Sequence, residues 1–313
     1  LQFSASSGSV THVCAVASDG AAYCWGNNGN GQLGDPSVST AVSSVPVAVS
    51  TASPSALAGK TITMVAAGGS STCATTTEGL AYCWGQGTSG QLGNGNFLDS
   101  TTAVAVSTSG VLLGKSVTQM SGGNAHFCAV AGVAAYCWGS PAGLGAGTGT
   151  NKSSPVAVYT AGGLSGKTGG QVDGGNNFSC AVTSDGGGYC WGQGTNGQLG
   201  NGSNSTAAVP VAVLTGGVLS GKKILQIVAG DTHSCAVADD YKAYCWGSNV
   251  SGRLGNNSTT QSFIPVAVDT TGVLNGKKVV AVEIAGGTTC ALTSEGKVYC
   301  WGSNVSGQLG NGS

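Results

Sequence analysis

Charged residues are scarce in this chain. They make up 7% of its 313 residues, against about a quarter in an ordinary globular protein, and the net charge is −1. A surface that binds nucleic acid needs clustered lysine and arginine, which this sequence does not supply. No apolar run approaches the roughly 18 residues that would span a membrane. We therefore expect no nucleic-acid partner and no membrane insertion.

Side chains for catalysis and metal binding are also few. The sequence has three histidines. Its acidic residues are scattered and lie mostly at turns, so no paired-carboxylate site is evident. A phosphate-binding loop, an EF-hand loop and a zinc signature are all missing from the sequence. We expect a protein with no catalytic residue, no metal and no cofactor.

Glycine and cysteine are abundant, with 56 and 12 residues. The motif Tyr-Cys-Trp-Gly occurs six times, at residues 23, 82, 136, 189, 244 and 299, and a further cysteine precedes each copy. A fixed period of this length predicts an array of like units. We place the repeats at about residues 1–58, 59–113, 114–165, 166–220, 221–275 and 276–313, in a single domain, with the last repeat incomplete.

Each repeat contains four short β-type runs. In the fifth repeat these are Ile224–Val228, His233–Ala238, Lys242–Trp246 and Phe263–Val268, separated by Gly, Asn, Pro and Asp. No stretch shows a sustained helical period, so helix is not expected. Repeated units of four antiparallel strands are typical of the blades of a β-propeller. The predicted fold class is therefore an all-β propeller of four-stranded antiparallel blades.

The turn between the second and third strands fixes which residues face each other. In the first repeat a three-residue loop, Ser18–Gly20, ends with glycine in the left-handed conformation. This turn places Ala17 opposite Ala21, and counting back places Cys14 opposite Cys24. The Cα atoms of such a non-hydrogen-bonded pair lie about 4.5 Å apart, within reach of a disulfide.

The third repeat is one residue shorter between its cysteines but preserves the pairing. A two-residue type II′ turn with Gly132 in first position again sets Cys128 opposite Cys137. A pair of cysteines with no second pair nearby does not match zinc spacing. We predict six disulfides: Cys14–Cys24, Cys73–Cys83, Cys128–Cys137, Cys180–Cys190, Cys235–Cys245 and Cys290–Cys300. Such a set persists only in an oxidising compartment, so we expect an extracellular or cell-surface location.

A longer motif follows the second cysteine of each pair. Close copies of Trp-Gly-x-Asn-x-x-Gly-Gln-Leu-Gly occur at Trp84–Gly93, Trp191–Gly200 and Trp301–Gly310, at Trp246–Gly255 with Arg253 in place of glutamine, and at Trp138–Gly145, which is two residues short and lacks the glutamine. This motif resembles the repeat of the regulator of chromosome condensation family. The resemblance implies a β-propeller, commonly of seven blades. The family includes a nuclear exchange factor for a small GTPase and a secreted bacterial β-lactamase inhibitor protein, and the paired cysteines are closer in character to secreted bacterial members.

The number of blades is left open by the sequence. The fourth run has the pattern Pro-Val-Ala-Val at Pro46–Val49, Pro155–Val158, Pro210–Val213 and Pro265–Val268, with Ala103–Val106 as a variant. The sixth repeat reaches residue 313 before its copy. Six repeats are visible and seven blades are possible. Because an unpaired strand edge is a liability, we expect the native chain to be longer.

The three histidines lie two residues before the first cysteine of a repeat, at His12, His126 and His233. Their occurrence in alternate repeats could suggest a metal site. The strand face that they share with cysteine packs on the neighbouring blade of a propeller, however, and not toward the axis, which argues against a shared metal centre. We expect each histidine to make a structural hydrogen bond to backbone. The six tryptophans, on alternating strand faces, are expected to fill the cores between blades.

Alternating strand direction divides the loops between two surfaces. The hairpin turns and the Leu-x-Gly-Lys links form a surface of mixed charge, for which turn chemistry and solubility are a sufficient explanation. The other surface is nearly uncharged and differs most between repeats, as binding loops do. The candidate binding residues on it are Asn96, Phe97, Leu98, Asp99, Arg253, Gln261, Ser262 and Phe263.

The sequence thus predicts a secreted or cell-surface binding module that recognises a protein or glycan partner and catalyses no reaction. One alternative is a structural building block of a surface layer, fibre or adhesin, which would self-associate. A second alternative is an extracellular hydrolase, which would need two facing carboxylates near the propeller axis. The ligand itself is not encoded in any motif.

Overall fold

The structure is a computed structural model that describes residues 2–6, 11–160, 164 and 166–312. Its described residues form six antiparallel sheets, distributed over two compact units, Leu1–Tyr159 and Thr160–Ser313. Each unit contains three consecutive sheets, and each sheet corresponds to one sequence repeat.

Unit 1 contains three four-stranded sheets, each a meander in chain order. The first is formed by β1 Gln2–Ala5, β2 His12–Val16, β3 Ala22–Asn27 and β4 Val42–Ala48; the second by β5 Ile62–Ala67, β6 Ser71–Thr76, β7 Ala81–Gly85 and β8 Ser100–Ala105; the third by β9 Val117–Gly122, β10 His126–Ala131, β11 Ala134–Gly139 and β12 Lys152–Ala157.

Unit 2 repeats this arrangement, except that its last sheet has three strands in the described part of the chain. The fourth sheet is formed by β13 Gly169–Gly174, β14 Phe178–Thr183, β15 Gly188–Gly192 and β16 Ala207–Ala212; the fifth by β17 Ile224–Ala229, β18 His233–Ala238, β19 Ala243–Gly247 and β20 Ser262–Ala267; the sixth by β21 Val279–Ala285, β22 Thr288–Thr293 and β23 Val298–Gly302.

In the part of the chain that the structure describes, helix is limited to three single turns of 3₁₀ type, at Pro141–Gly143, Gly217–Leu219 and Val250–Gly252. Within the described ranges, then, no helix has the length and apolar character to cross a membrane. The predicted class, an all-β protein of antiparallel propeller blades, is confirmed, and the strands predicted for the fifth repeat agree with β17 to β20 within one residue at each end.

The hairpin turns have the predicted geometry. Gly20 has a φ of 83°, and the amide of Ala17 donates to the carbonyl of Ala21 across 2.8 Å. Gly132 has a φ of 62°, as the first position of a type II′ turn requires. In both sheets the cysteines are register partners. All six predicted disulfides are present, with Cα–Cα distances of 4.0 to 4.1 Å.

The tryptophan of one sheet joins that sheet to the one before it. In unit 1 the indole N–H of Trp84 donates to the carbonyl of Gln32 across 2.9 Å, and Trp138 makes the same bond to Gln91. In unit 2, Trp246 makes it to Gln198 across 2.9 Å. These three indoles are fully buried in the core between sheets, as predicted. Replacing such a tryptophan by alanine typically costs about 3–5 kcal/mol.

His12 and His233 contact the next sheet, but their hydrogen-bond partner is different from the one predicted. The ring Nε2 of His12 lies 2.7 Å from the hydroxyl of Thr72, and that of His233 lies 2.9 Å from the hydroxyl of Thr289. The threonine hydroxyl itself donates to a backbone carbonyl, that of Gln32 in the first case. The threonine hydroxyl therefore accepts a hydrogen bond from the histidine ring. The prediction of a direct hydrogen bond from histidine to backbone was wrong, because the threonine hydroxyl lies between the ring and the backbone carbonyl.

Candidate functional site

The loop between β7 and β8 carries an exposed apolar pair. Phe97 is 46% exposed and Leu98 is 71% exposed. The neighbouring Asn96 and Asp99 are exposed as well. An aromatic and an aliphatic side chain side by side on a polar surface form the kind of patch that anchors a protein partner.

Local hydrogen bonds hold this loop in one conformation. The carboxylate of Asp99 accepts the amide of Gly87 across 2.7 Å, and the side-chain carbonyl of Asn96 accepts the amide of Leu98 across 3.0 Å. A Cβ on Gly87 would lie 1.9 Å from the carbonyl oxygen of Leu98, so this approach requires glycine. Asn96 and Asp99 are therefore supports of the loop, and Phe97 and Leu98 are the side chains that it presents.

The corresponding loop of the fifth sheet uses its phenylalanine differently. Phe263 is half-buried, and a Cβ on Gly197 of the fourth sheet would lie 2.3 Å from its ring. Its carbonyl accepts the amide of Gly202 across 2.9 Å. Gln261 is exposed, whereas the hydroxyl of Ser262 donates to the carbonyl of Ile264. Phe263 and Ser262 thus contribute to packing and local geometry.

Ile264 is the projecting apolar residue of this segment, at 46% exposure, and sequence analysis missed it. Strand alternation is the signal that could have found it. Pro265, the next residue of β20, is buried. The residue before a buried strand position points to the opposite side.

Arg253, which replaces the glutamine of the repeat motif, is fixed by the scaffold. Its guanidinium donates to the carbonyl of Val250 and to the hydroxyl of Thr232, both across 2.9 Å. Its own carbonyl accepts the indole of Trp301 across 3.0 Å. Burial lowers the pKa of Arg253, and the nearby Asp231 partly opposes that effect. A role of Arg253 in binding stays a prediction.

The hairpin turns and links form pairs of opposite charge, as their composition predicts. A link lysine reaches the acidic residue of a hairpin turn in four repeats: Lys60 with Glu78, Lys167 with Asp185, Lys222 with Asp240 and Lys277 with Glu295. Some of these lysines also lie over the tyrosine ring of the repeat motif, Lys222 at 5.5 Å from the centre of the Tyr244 ring. The hydrogen bond from Lys167 lowers the pKa of Asp185. Such exposed pairs contribute little to stability and give no sign of a binding site.

Two acidic residues of unit 2 influence each other, which the sequence analysis did not foresee. Desolvation by its neighbours raises the pKa of Glu283 to about 7, and the charge of Asp173 adds to the rise, although the residue is exposed by its accessible surface. Both lie on first strands, opposite the first cysteine of their hairpins, Cys180 and Cys290. Because both acids occupy the same register position in their sheets, strand register could have indicated from the sequence that they interact.

The carboxylate of Asp173 already has a structural role, because it accepts the amide of Ala229 across 2.7 Å. Ser4 does the same in unit 1, where its hydroxyl accepts the amide of Ala67 across 2.9 Å. The position is thus a link between the first strands of adjacent sheets. Among the residues that the structure describes, no group of three or more His, Cys, Asp or Glu side chains is placed to hold a metal ion.

Comparisons with known proteins agree with the repeat and the fold. The sequence profile of the RCC1-like domain matches residues 2–313. The ultraviolet-B receptor UVR8 of Arabidopsis thaliana is 31% identical over 96% of this chain and 65% of its own length. The human E3 ubiquitin-protein ligase HERC2 is 32% identical over 90% of this chain but only 6% of the ligase.

A solved structure extends the likeness to three dimensions. The crystal structure of Prp20p from Saccharomyces cerevisiae, described with its binding properties to Gsp1p and histones, has a TM-score of 0.81 and 21% identity over 99% of this chain and 73% of that one. The fold is therefore shared at low sequence identity. This chain spans less than two thirds of the length of UVR8 and of HERC2, whose names describe longer proteins.

Proposed function

Since the chain belongs to the family of RCC1-like domains, we propose that it is a secreted or cell-surface module that recognises a protein or glycan partner and catalyses no reaction. The exposed pair Phe97 and Leu98 carries the proposal. The domain type also supports it, because Prp20p, which shares the fold, is described as binding Gsp1p and histones.

The proposed secreted or cell-surface location is supported by the six disulfides. One bridge closes each hairpin, and ten of the twelve cysteines are fully buried. Bridges of this number form and persist in oxidising compartments and are rare where thiols are kept reduced.

Protein from its natural source should therefore take up no thiol-alkylating reagent until it is reduced. Labelling of free thiols without reductant would contradict a secreted or surface location.

The binding surface is supported by how the β7–β8 loop is built. The amide of Gly95 donates to the carbonyl of Ser153 on the next sheet across 2.7 Å, in addition to the bonds within the loop. A loop held at several points loses little freedom when a partner binds. The apolar pair is therefore presented in a form ready for recognition.

Site-specific photo-crosslinking tests this surface. We would place a benzophenone amino acid at Leu98 and, as a matched control, at Val133, which is 67% exposed at a hairpin turn of the same unit. The probes are intact cells of the source organism and a glycan array. We expect a discrete adduct from position 98 and none from 133, suppressed at least fivefold by unlabelled protein.

The competitor carrying Phe97→Ser and Leu98→Ser should fail to suppress the adduct, and it should lose any glycan-array signal that the original protein gives. Equal adducts from both positions would overturn the proposed surface, and so would equal competition by the double variant. Adducts between copies of this chain alone would favour the building-block alternative.

A further inference from the structure

Asparagine followed by glycine is a recurring dipeptide in the turns of this chain. It occurs at Asn311, at the end of the described chain, and at six internal positions: Asn28, Asn30, Asn94, Asn196, Asn201 and Asn275. Glycine has no side chain to hinder its backbone nitrogen from attacking the side-chain amide of the asparagine before it. The attacking nitrogen loses its proton in this reaction, so a glycine amide that already donates a hydrogen bond is protected.

Five of the six internal pairs have a protected glycine. The amide of Gly29 donates to the side-chain oxygen of Asn27 across 3.0 Å. The amides of four others donate to backbone carbonyls across 2.7 to 3.0 Å: Gly31, Gly95, Gly197 and Gly202. In these loops the hydrogen bond must open before the nitrogen can react.

Asn275 differs from the other five. Neither its side chain nor the amide of Gly276 makes a hydrogen bond to any residue that the structure describes. Both residues are exposed, and a Cβ on Gly276 would meet nothing within 4 Å. The peptide between them is therefore free to rotate and to bring the nitrogen of Gly276 against the side-chain amide of Asn275.

A tight turn presents this pair to solvent. The amide of Lys277 donates to the carbonyl of Leu274 across 3.1 Å, and Gly276 has a φ of 69°, so Asn275 and Gly276 are the two central residues of a β-turn. The position of Asn275 is exposed in the links of earlier repeats as well, with Leu113 at 73% in unit 1. The exposure of Asn275 is therefore a property of the link.

We propose that Asn275 is a site of spontaneous deamidation and isoaspartate formation. The backbone nitrogen of Gly276 forms a bond to the side-chain carbonyl carbon of Asn275. The bond from that carbon to its amide nitrogen breaks, and ammonia leaves with the proton of the glycine amide. Water then opens the resulting succinimide at either carbonyl, which gives isoaspartate or aspartate. The reaction consumes only water.

The product changes the charge of the link. A new carboxylate appears next to Lys277, which pairs with Glu295 across 2.9 Å, and near Lys278, whose ammonium lies 5.2 Å from the centre of the Tyr241 ring. The isoaspartate form also adds one carbon to the main chain within the β-turn. The modified protein should therefore be separable from the original by charge.

Incubation of the native, oxidised protein in mildly alkaline buffer, followed by peptide mapping, tests the proposal. We expect Asn275 to deamidate about tenfold faster, or more, than Asn94 and Asn196, because each of these must first break the hydrogen bond of its glycine amide. Electron-transfer fragmentation should identify isoaspartate as well as aspartate at position 275, since direct hydrolysis gives aspartate alone.

The unfolded protein is the matched control. After reduction, alkylation and unfolding in urea, Asn94 and Asn196 should react at nearly the rate of Asn275, because all three precede glycine. The variant Asn275→Ser, which copies Ser220 of the preceding repeat, should remove the early charge variant and keep the unfolding midpoint.

Equal rates at the three positions in the native protein would overturn the proposal, and so would aspartate as the sole product. A rate difference that persists in urea would assign the reactivity to neighbouring sequence instead of to the unengaged amide, and would overturn it as well.

Discussion

Acid should destabilise this protein through its buried histidines. His12, His126 and His233 are at most 1% exposed. Burial lowers their pKa values to about 4, about 4 and about 3, against about 6.5 in an unfolded chain. The ring Nδ1 of His12 and of His233 has no hydrogen-bond partner among the described residues, so a proton there would be buried without an acceptor.

The direction of the effect follows from proton binding. A histidine whose pKa is lowered by folding stays neutral in the native state, while the unfolded state takes up a proton below about pH 6.5. The stabilisation is complete above pH 6.5 and is lost as the pH falls toward 4. Lowering the pH from neutral to 5 should therefore reduce the free energy of unfolding by about 2 kcal/mol for each histidine.

Glu283 acts in the opposite direction. Its pKa is raised to about 7, so the native state binds its proton first as the pH falls below 7, which adds stability. Because Glu283 is exposed and its charge is screened by solvent, we expect it to offset less than the contribution of one histidine. The carboxylates with lowered pKa values, such as Glu78 and Glu295, release their stabilisation only at lower pH. Between pH 7 and 5 the net loss should be about 4–6 kcal/mol.

Guanidinium unfolding of the oxidised protein from pH 7.5 to 4.8, followed by tryptophan fluorescence, measures this loss. His233→Gln should reduce the pH dependence by about one proton, a third of the histidine contribution, and leave the slope above pH 7 unchanged. Other repeats carry Ser71, Phe178 and Thr288 at this position, so the fold accepts residues that do not titrate there. The reasoning would be refuted by a midpoint that is constant from pH 7.5 to 5, or by an unchanged slope in the variant.

Two further predictions concern the disulfides and the β7–β8 loop. Mild reduction followed by alkylation and peptide mapping should label Cys290 and Cys300 first. This bridge is half-exposed, whereas the other cysteines are fully buried. Earlier labelling of another pair would contradict the prediction. Gly87→Ala should cost about 1–3 kcal/mol, because its Cβ would meet the carbonyl of Leu98, and it should weaken partner binding. In the control variant Gly149→Ala, the new Cβ meets nothing within 4 Å, so the free energy of unfolding should change by about 0.5 kcal/mol or less. Equal unfolding midpoints for the two variants would show that the β7–β8 loop adapts to the added Cβ and would contradict the prediction.

The sequence was sufficient for the strands, the hairpin register and the disulfides, because these depend on residues close together in the chain. The turn at Gly20 fixes the pairing of Cys14 with Cys24 by counting alone. The deletion at Gly132 changes the turn type and preserves the pairing. Local geometry of this kind can be derived from spacing and the conformational preferences of glycine.

Contacts between sheets were harder to predict. The relay from His12 through Thr72 joins residues that are 60 positions apart, and no local rule selects threonine over a backbone acceptor. The burial of Phe263 against Gly197 and the influence of Asp173 on Glu283 arise in the same way. The candidate site could therefore be located on particular loops, but the structure was needed to separate Phe97 and Leu98, which project, from Phe263, which packs.

Departures from the repeat are informative where they carry a conformational cost. Among the described residues, three that are not glycine have a left-handed backbone: Tyr241, Ser251 and Asn257. All three belong to the fifth repeat. Non-glycine residues pay roughly 1–2 kcal/mol in this conformation, a cost that other repeats avoid with glycine at two of the three positions, as with Gly296 in place of Tyr241 and Gly202 in place of Asn257. Backbone strain that is confined to one repeat is a starting point for a functional hypothesis, and this makes the fifth repeat the next place to seek a partner after the β7–β8 loop.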